Sequence, residues 1–130
     1  AAGFLGIFLL AELQERGHRV VALIRAADPD AGAALLERKA RAAGVAIDLE
    51  AIEVVPGDLA SPHLGLAPGQ RACLAATVGT IVHNGAFVHH LHGYQTIRAA
   101  NVLGTRELLR LALEERPKRF CLVSTKPACP

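Results

Sequence analysis

Apolar and polar positions along this chain fall into alternating blocks of helical and extended period. From Phe4 to Arg16 the apolar residues recur at helical spacing, with Gly6, Leu10, Leu13 and Gly17 on one stripe. Gly17 stands where a left-handed residue ends a helix. Arg19 to Arg25 is a nearly continuous β-prone run, as expected of a strand covered on both faces. Asp28-Pro29-Asp30 breaks the chain and opens an Ala-, Leu-, Glu- and Arg-rich helix that runs to Gly44. Ile52 to Val55 is a short strand stopped by Pro56-Gly57-Asp58, and the Pro- and Gly-rich stretch from Ser61 to Gln70 reads as an exposed loop. A short helix from Gln70 to Ala76 precedes the strand Thr80 to His83, which ends in Asn84-Gly85-Ala86. Phe87 to Gly93 is irregular. A single long helix is predicted from Tyr94 to Glu115, with Ile97, Asn101, Gly104, Leu108 and Leu111 on one face and Pro117 beyond its end. Arg119 to Ser124 is the last strand. Strands that alternate with helices in this way predict an α/β domain with a parallel sheet and right-handed crossovers.

Composition narrows the class. A chain of 130 residues, 52% hydrophobic and 20% charged, is one globular domain or a piece of one. A formal charge of +2 from dispersed basic residues, with four Phe and one Tyr, argues against a nucleic-acid or membrane surface partner. Cys73, Cys121 and Cys129 show neither paired nor metal-ligand spacing, which points to a reducing cytoplasm, and Cys73 and Cys121 read as small core residues. The opening apolar run lacks preceding basic residues and is interrupted by Glu12, Glu15 and Arg16, so it is a helix and not a signal peptide. No stretch reaches the roughly 20 apolar residues of a membrane span.

In a parallel sheet, ligands bind beyond the carboxyl ends of the strands, so those ends carry the candidate chemistry. Ala1-Ala2-Gly3-Phe4-Leu5-Gly6 reads as part of a glycine-rich phosphate loop opening into a helix. Gly3 lets backbone approach a pyrophosphate, Gly6 lets the helix pack on a sheet, and the helix N-terminus offers N–H groups to the anion. An ordinary glycine turn before an amphipathic helix is the competing reading. Arg25 lies about 20 residues beyond that loop, where a carboxylate would hold the ribose 2′-hydroxyl of NAD. A guanidinium there matches a 2′-phosphate and favours NADP, unless Arg25 is only a solvated charge. Asp58 can accept from an adenine amino group with Leu59 packed on the ring, or it is a turn aspartate. Asn84, Gly85 and Ala86 are small enough for backbone to pass close to a ribose or nicotinamide, and small residues also build ordinary loops.

Taken in order, Gly3-Phe4-Leu5-Gly6, Leu23-Ile24-Arg25-Ala26, Val54-Val55-Pro56-Gly57-Asp58-Leu59, His83-Asn84-Gly85-Ala86, Asn101-Val102-Leu103-Gly104-Thr105 and Val123-Ser124-Thr125 resemble the thioester reductase domain family. These are extended short-chain dehydrogenase/reductases found in nonribosomal peptide and polyketide synthases and in carboxylic acid reductases, close to fatty acyl reductases. The resemblance runs from residue 1 to about Thr125. It implies a Rossmann-type doubly wound parallel sheet that binds NADPH. It also implies reductive release of an acyl or peptidyl chain held as a phosphopantetheine thioester on a carrier protein, as aldehyde or alcohol. By the same resemblance Thr125 matches the hydroxyl that hydrogen-bonds the reacting carbonyl, Ser124 is its neighbour, and Asn101 matches the asparagine that helps order a lysine and a water. Such chemistry needs donors aimed at the oxygen that gains charge, and a lysine that lowers a tyrosine pKa.

The departures shape the remaining expectations. The first loop glycine and its strand are not in the sequence, nor is a Tyr-x-x-x-Lys, so residues 1–130 are expected to form a partial NAD(P)-binding Rossmann domain, truncated at both ends and inactive alone. Tyr94 is not the catalytic tyrosine, since Arg98 is its fourth follower. Lys126 falls too early for the catalytic lysine. His89, His90 and His92 are expected on the substrate side or in solvent and not as metal ligands. His83 reads as a strand-end core residue. Two other readings remain: a nucleotide-binding sensor or scaffold without reductase chemistry, and a fatty acyl-CoA reductase fragment.

Overall fold

Gly3 is the last extended residue before the first helix, at φ −77° and ψ 169°, and it can offer no side chain to cap it. Helix α1 covers Phe4–Glu15, and Gly17 takes the left-handed φ of 73° beyond its end. The structure is a computed structural model that describes residues 1–88, 91 and 93–124. The chain divides into two units, Ala1–Asp58 and Leu59–Pro130.

In the first unit, strand β1 (Val20–Ile24) pairs in parallel with β2 (Ile52–Pro56), in a register that sets Val20 against Ile52 and Ile24 against Pro56. Helix α2 (Pro29–Ala43) connects them. The Asp28 carboxylate accepts from the Ala31 N–H at 2.7 Å, Pro29 occupies the first turn, and Gly44 closes the helix at φ 66°. Sequence stop and start signals are therefore met by geometry. Ile7, Leu10, Val20, Ala22, Ile24, Leu36, Ala40 and Ile52 form the core. At Gly32 the helix touches the sheet so closely that a Cβ would lie 2.6 Å from Val54 Cγ1. The Gln14 amide pins the approach to β2: Nε2 donates to the Asp48 carbonyl at 2.6 Å and Oε1 accepts from the Asp48 N–H at 3.1 Å.

The second unit departs from the sequence pattern in four places. The stretch from Ser61 to Gln70 is not simply exposed, because a 3₁₀ turn at Pro62–Gly65 puts Leu64 and Leu66 inside. His63, Leu64 and Gly65 are all left-handed there, at φ 51°, 64° and 70°. A left-handed side-chain residue costs about 1–2 kcal/mol, comparable with what complete burial of one leucine supplies. Second, helix α3 (Pro68–Thr77) begins earlier than apolar spacing predicts, with Pro68 in its first turn and the Gln70 side chain accepting from the Ala67 N–H.

Third, the predicted long helix is three pieces: α4 (Tyr94–Arg98), a π-helical stretch Ala99–Gly104, and α5 (Thr105–Leu113). The backbone turns outward at Glu114 and left-handed at Glu115, φ 58°, before Pro117 is reached. Buried Lys118 ties that turn by donating from Nζ to the carbonyls of Glu114 and Arg116. Fourth, Cys73 and Cys121 are exposed and not core residues. Leu74 and Ala75 take the inward positions of α3, and Cys121 lies in β4 (Arg119–Leu122), most of whose residues face outward.

Strand β3 (Thr80–His83) pairs in parallel with β4, Thr80 against Arg119 and His83 against Leu122. Ile81 and His83 point inward while Val82, Leu122 and Val123 face outward within this unit. Thus one face of this pair is covered within the unit. Both sheets are parallel and helices intervene between successive strands, so the α/β class is borne out.

Candidate functional site

In the first unit the glycine turn and Arg25 lie at the same end of β1. The Ala1 nitrogen donates to the Leu23 carbonyl at 3.4 Å, which places the turn beside the strand's carboxyl end, and Arg25 follows directly after Ile24. Gly3 has open space where a Cβ would stand, whereas a Cβ on Gly6 would run into the Ala1 carbonyl. The close approach at Gly6 is thus to the turn's own backbone. Among the described residues no side chain caps α1 at Gly3, and a helix N-terminus of this kind can receive an anion.

Arg25 is exposed and makes no hydrogen bond or ion pair among the described residues. Asp28 Oδ1 is engaged as the α2 cap. Asp58, half-buried, closes the unit just after Gly57, whose N–H donates to the Ile24 carbonyl at 2.9 Å. A turn open to anions beside an unengaged guanidinium fits a phosphate-bearing nucleotide.

In the second unit the residues around the β3 end form a connected set. Asn84, Gly85 and Ala86 leave the strand as predicted, and the next residue is clamped. Phe87 N–H donates to Asn101 Oδ1 at 2.7 Å, and Asn101 Nδ2 donates to the Phe87 carbonyl at 3.0 Å. The Asn101 side chain therefore orders the strap after β3, a task that the helix pattern did not suggest. Leu59 reaches both sides of this assembly. A Cβ on Gly85 would lie 2.6 Å from Leu59 Cδ1, and one on Gly104 would lie 2.5 Å from the Leu59 carbonyl oxygen. The smallness of Gly85 and Gly104 is thus explained by Leu59. Its backbone occupies the groove along the π-helical stretch.

Beneath the strap, His83 is 4% exposed and its Nε2 lies 2.8 Å from Thr105 Oγ1. The Thr105 hydroxyl donates its one proton to the Asn101 carbonyl at 2.7 Å. It must therefore accept from His83, which carries its proton on Nε2. Burial pushes the His83 pKa below its ordinary 6.5, which keeps the ring neutral. The Phe120 ring meets it edge-on at a centroid distance of 6.2 Å. On the neighbouring strand, Val123 N–H donates to the His83 carbonyl at 2.9 Å, so Ser124 emerges beside Asn84.

Thr125 lies outside the described residues, as do His89, His90 and His92. Tyr94 is 58% exposed at the start of α4. Sequence reasoning missed Thr105 and Phe87. Thr105 has a usable signal, a hydroxyl four residues after Asn101, whereas Phe87 contributes only backbone and carries none.

Comparison with known proteins places this geometry. The whole chain, residues 1–130, matches the NAD-binding family described as male sterility protein. The chain belongs to the male sterility protein family. It is 41% identical over 128 residues to a linear gramicidin synthase of Brevibacillus parabrevis, with 96% of this chain and 2% of that protein covered. Among solved structures it superposes on the terminal R domain from the myxalamid PKS-NRPS biosynthetic pathway with a TM-score of 0.92 and 39% identity, covering 95% of this chain and 33% of that one. The reductase (R) domain of a nonribosomal peptide synthetase from Mycobacterium tuberculosis gives a TM-score of 0.80 at 34% identity, covering 97% and 32%. This member of the male sterility family thus spans about a third of those two domains. The resemblance to thioester reductase domains holds. Among the described residues no helix is long and apolar enough to cross a membrane.

Proposed function

We propose that this chain is the NADPH-binding portion of a reductase that releases a carrier-protein-bound acyl or peptidyl thioester as aldehyde or alcohol. The observation that carries the proposal is the likeness to the myxalamid terminal R domain along 95% of the chain. NADPH, when bound, supplies the hydride for that reduction. The uncapped N-terminus of α1, with Gly3, Phe4, Leu5 and Gly6, receives the pyrophosphate, and exposed Arg25 receives the 2′-phosphate. Asp58 and Leu59 attend the adenine. Asn84, Gly85 and Ala86 keep the strap slim beside the ribose and nicotinamide. Ser124 follows β4 next to Thr125, the residue that by family resemblance donates a hydroxyl to the reacting carbonyl oxygen, and Asn101 holds the strap. A cytoplasmic location suits this role.

The test compares NADPH and NADH binding by the full-length protein and by its Arg25→Ala variant, together with NADPH consumption on a carrier-bound thioester. A charge-assisted bidentate contact predicts a loss of NADPH affinity of about ten- to a hundred-fold, with NADH little changed. An unchanged NADPH preference in Arg25→Ala overturns the phosphate assignment. Failure to consume NADPH on any carrier-bound thioester overturns the reaction.

A further inference from the structure

We propose that His83 and Thr105 are positioning residues: through the Asn101 carbonyl and the π-helical stretch they set the strap Asn84–Val88 in the shape that receives the cofactor. The proposal deepens, and rests on, the NADPH-binding reading of that strap.

The chain of contacts is continuous and directional. Nε2–H of His83 donates to Thr105 Oγ1, Thr105 donates to the Asn101 carbonyl, and the Asn101 amide exchanges two hydrogen bonds with Phe87. Every link has a fixed sense, because a threonine hydroxyl holds one proton and an amide side chain has one donor end and one acceptor end. The link at Thr105 lies at the end of the helix defect. A hydroxyl that back-bonds to the carbonyl four residues earlier competes with the backbone ladder and bends a helix. Here the Thr105 N–H donates to Val102 while its hydroxyl takes Asn101. The π-helical stretch, Ala99–Gly104, contains Asn101, whose amide meets Phe87. π-bulges of this kind recur at functional sites.

Both ends of the strap are thereby referred to one residue. His83 is the last residue of β3 and begins the strap covalently, while its ring fixes the far end through Thr105 and Asn101. A change in the ring's hydrogen bond alters the span between Asn84 and Phe87 without touching cofactor. Such an effect separates positioning from contact.

The test uses the full-length protein with Thr105→Val, which keeps shape and loses the hydroxyl, Thr105→Ser, which restores it, and His83→Gln, whose amide can donate near the Nε2 position. Two readouts are taken: hydrogen exchange at the Phe87 amide without cofactor, and NADPH affinity followed with KM and kcat on a carrier-bound thioester. Loss of the relay predicts about ten-fold faster exchange at Phe87 in Thr105→Val, near wild-type exchange in Thr105→Ser, and a rise in the NADPH dissociation constant with exchange. Wild-type exchange at Phe87 in folded Thr105→Val overturns the proposal. Faster exchange with unchanged NADPH affinity leaves a structural contact only and also overturns it. If Thr105→Val does not fold, His83→Gln decides: retained protection supports the relay, and exchange as fast as in His83→Leu refutes it. If the wild type binds no NADPH, the functional reading fails while the exchange arm still reports on the relay.

Discussion

The Asn101 side chain and the Phe87 backbone exchange two hydrogen bonds, one at 2.7 Å and one at 3.0 Å. Replacing Asn101 with Asp keeps an acceptor for the Phe87 N–H and sets a negative charge against the Phe87 carbonyl. Both hydrogen bonds are exposed, so Asn101→Asp and Asn101→Ala are each expected to destabilise the full-length protein by about 0.5–1.5 kcal/mol, the net worth of an ordinary hydrogen bond. Urea midpoints measure this, and midpoints equal to wild type in both variants contradict it.

Two glycines face Leu59, and they are expected to respond differently to substitution. In Gly104→Ala the new methyl meets the Leu59 carbonyl oxygen at 2.5 Å, and backbone cannot retreat. In Gly85→Ala it meets the end of the Leu59 side chain at 2.6 Å. Overpacking costs about 1–3 kcal/mol, with Gly104→Ala at the upper end. Adding Leu59→Ala should relieve Gly85→Ala and leave Gly104→Ala unrelieved, since the obstacle there is main chain. A double-mutant cycle reads the coupling, and equal coupling for both glycines would falsify this account.

Buried Glu107 distinguishes its two arginines. Arg110 Nη1 donates to Oε1 at 2.7 Å from a half-exposed side chain, whereas Arg71, only 12% exposed, lies 3.6 Å from Oε2 and also forks onto Glu114. Arg71→Ala leaves a buried carboxylate with a weakened set of partners and is expected to cost about 3–5 kcal/mol. Arg110→Ala removes a partly solvated pair and should cost no more than about 1 kcal/mol. The ratio of the two, from chemical denaturation, is the measurement. Equal losses contradict the assignment.

How much of this was legible in the chain depends on where the information resides. Helix α2 was readable because Asp28, Pro29 and Gly44 signal its ends locally, and the structure uses each as its chemistry allows. Strands β1 to β3 were readable from β-branched runs between breakers, and β4 from a short apolar run after Pro117. The π-helical stretch was not, because Ile97, Asn101, Gly104, Leu108 and Leu111 keep a regular helical spacing that carries no sign of it. The buried Leu64 was hidden by a Pro- and Gly-rich context that ordinarily marks solvent. The candidate site was legible at the strand ends, where residue size and charge point to a ligand. Its supporting contacts run through backbone atoms of Phe87 and Leu59, which carry no side-chain signature.

The buried ring of His83 predicts a pH dependence with a defined sign. Burial lowers its folded pKa below 6.5, while in the unfolded chain it returns to that value. Between the lowered value and 6.5 the unfolded state binds the additional proton, so stability rises with pH through this window and is flat above it. Acidification below 6.5 therefore destabilises the protein until the folded ring also protonates. Glu114 acts in a separate, lower window. Its hydrogen bond from Arg71 lowers its pKa below 4.5, against a smaller opposing effect of desolvation, so its contribution is present above 4.5 and lost as pH falls through the lowered value. Urea midpoints of the full-length protein between about pH 2 and 8 should show both slopes. His83→Gln should remove the upper slope and keep the lower, and Glu114→Gln should do the reverse. Retention of the upper slope in His83→Gln would assign it to another histidine, because a neutral amide in the same place has no proton to gain.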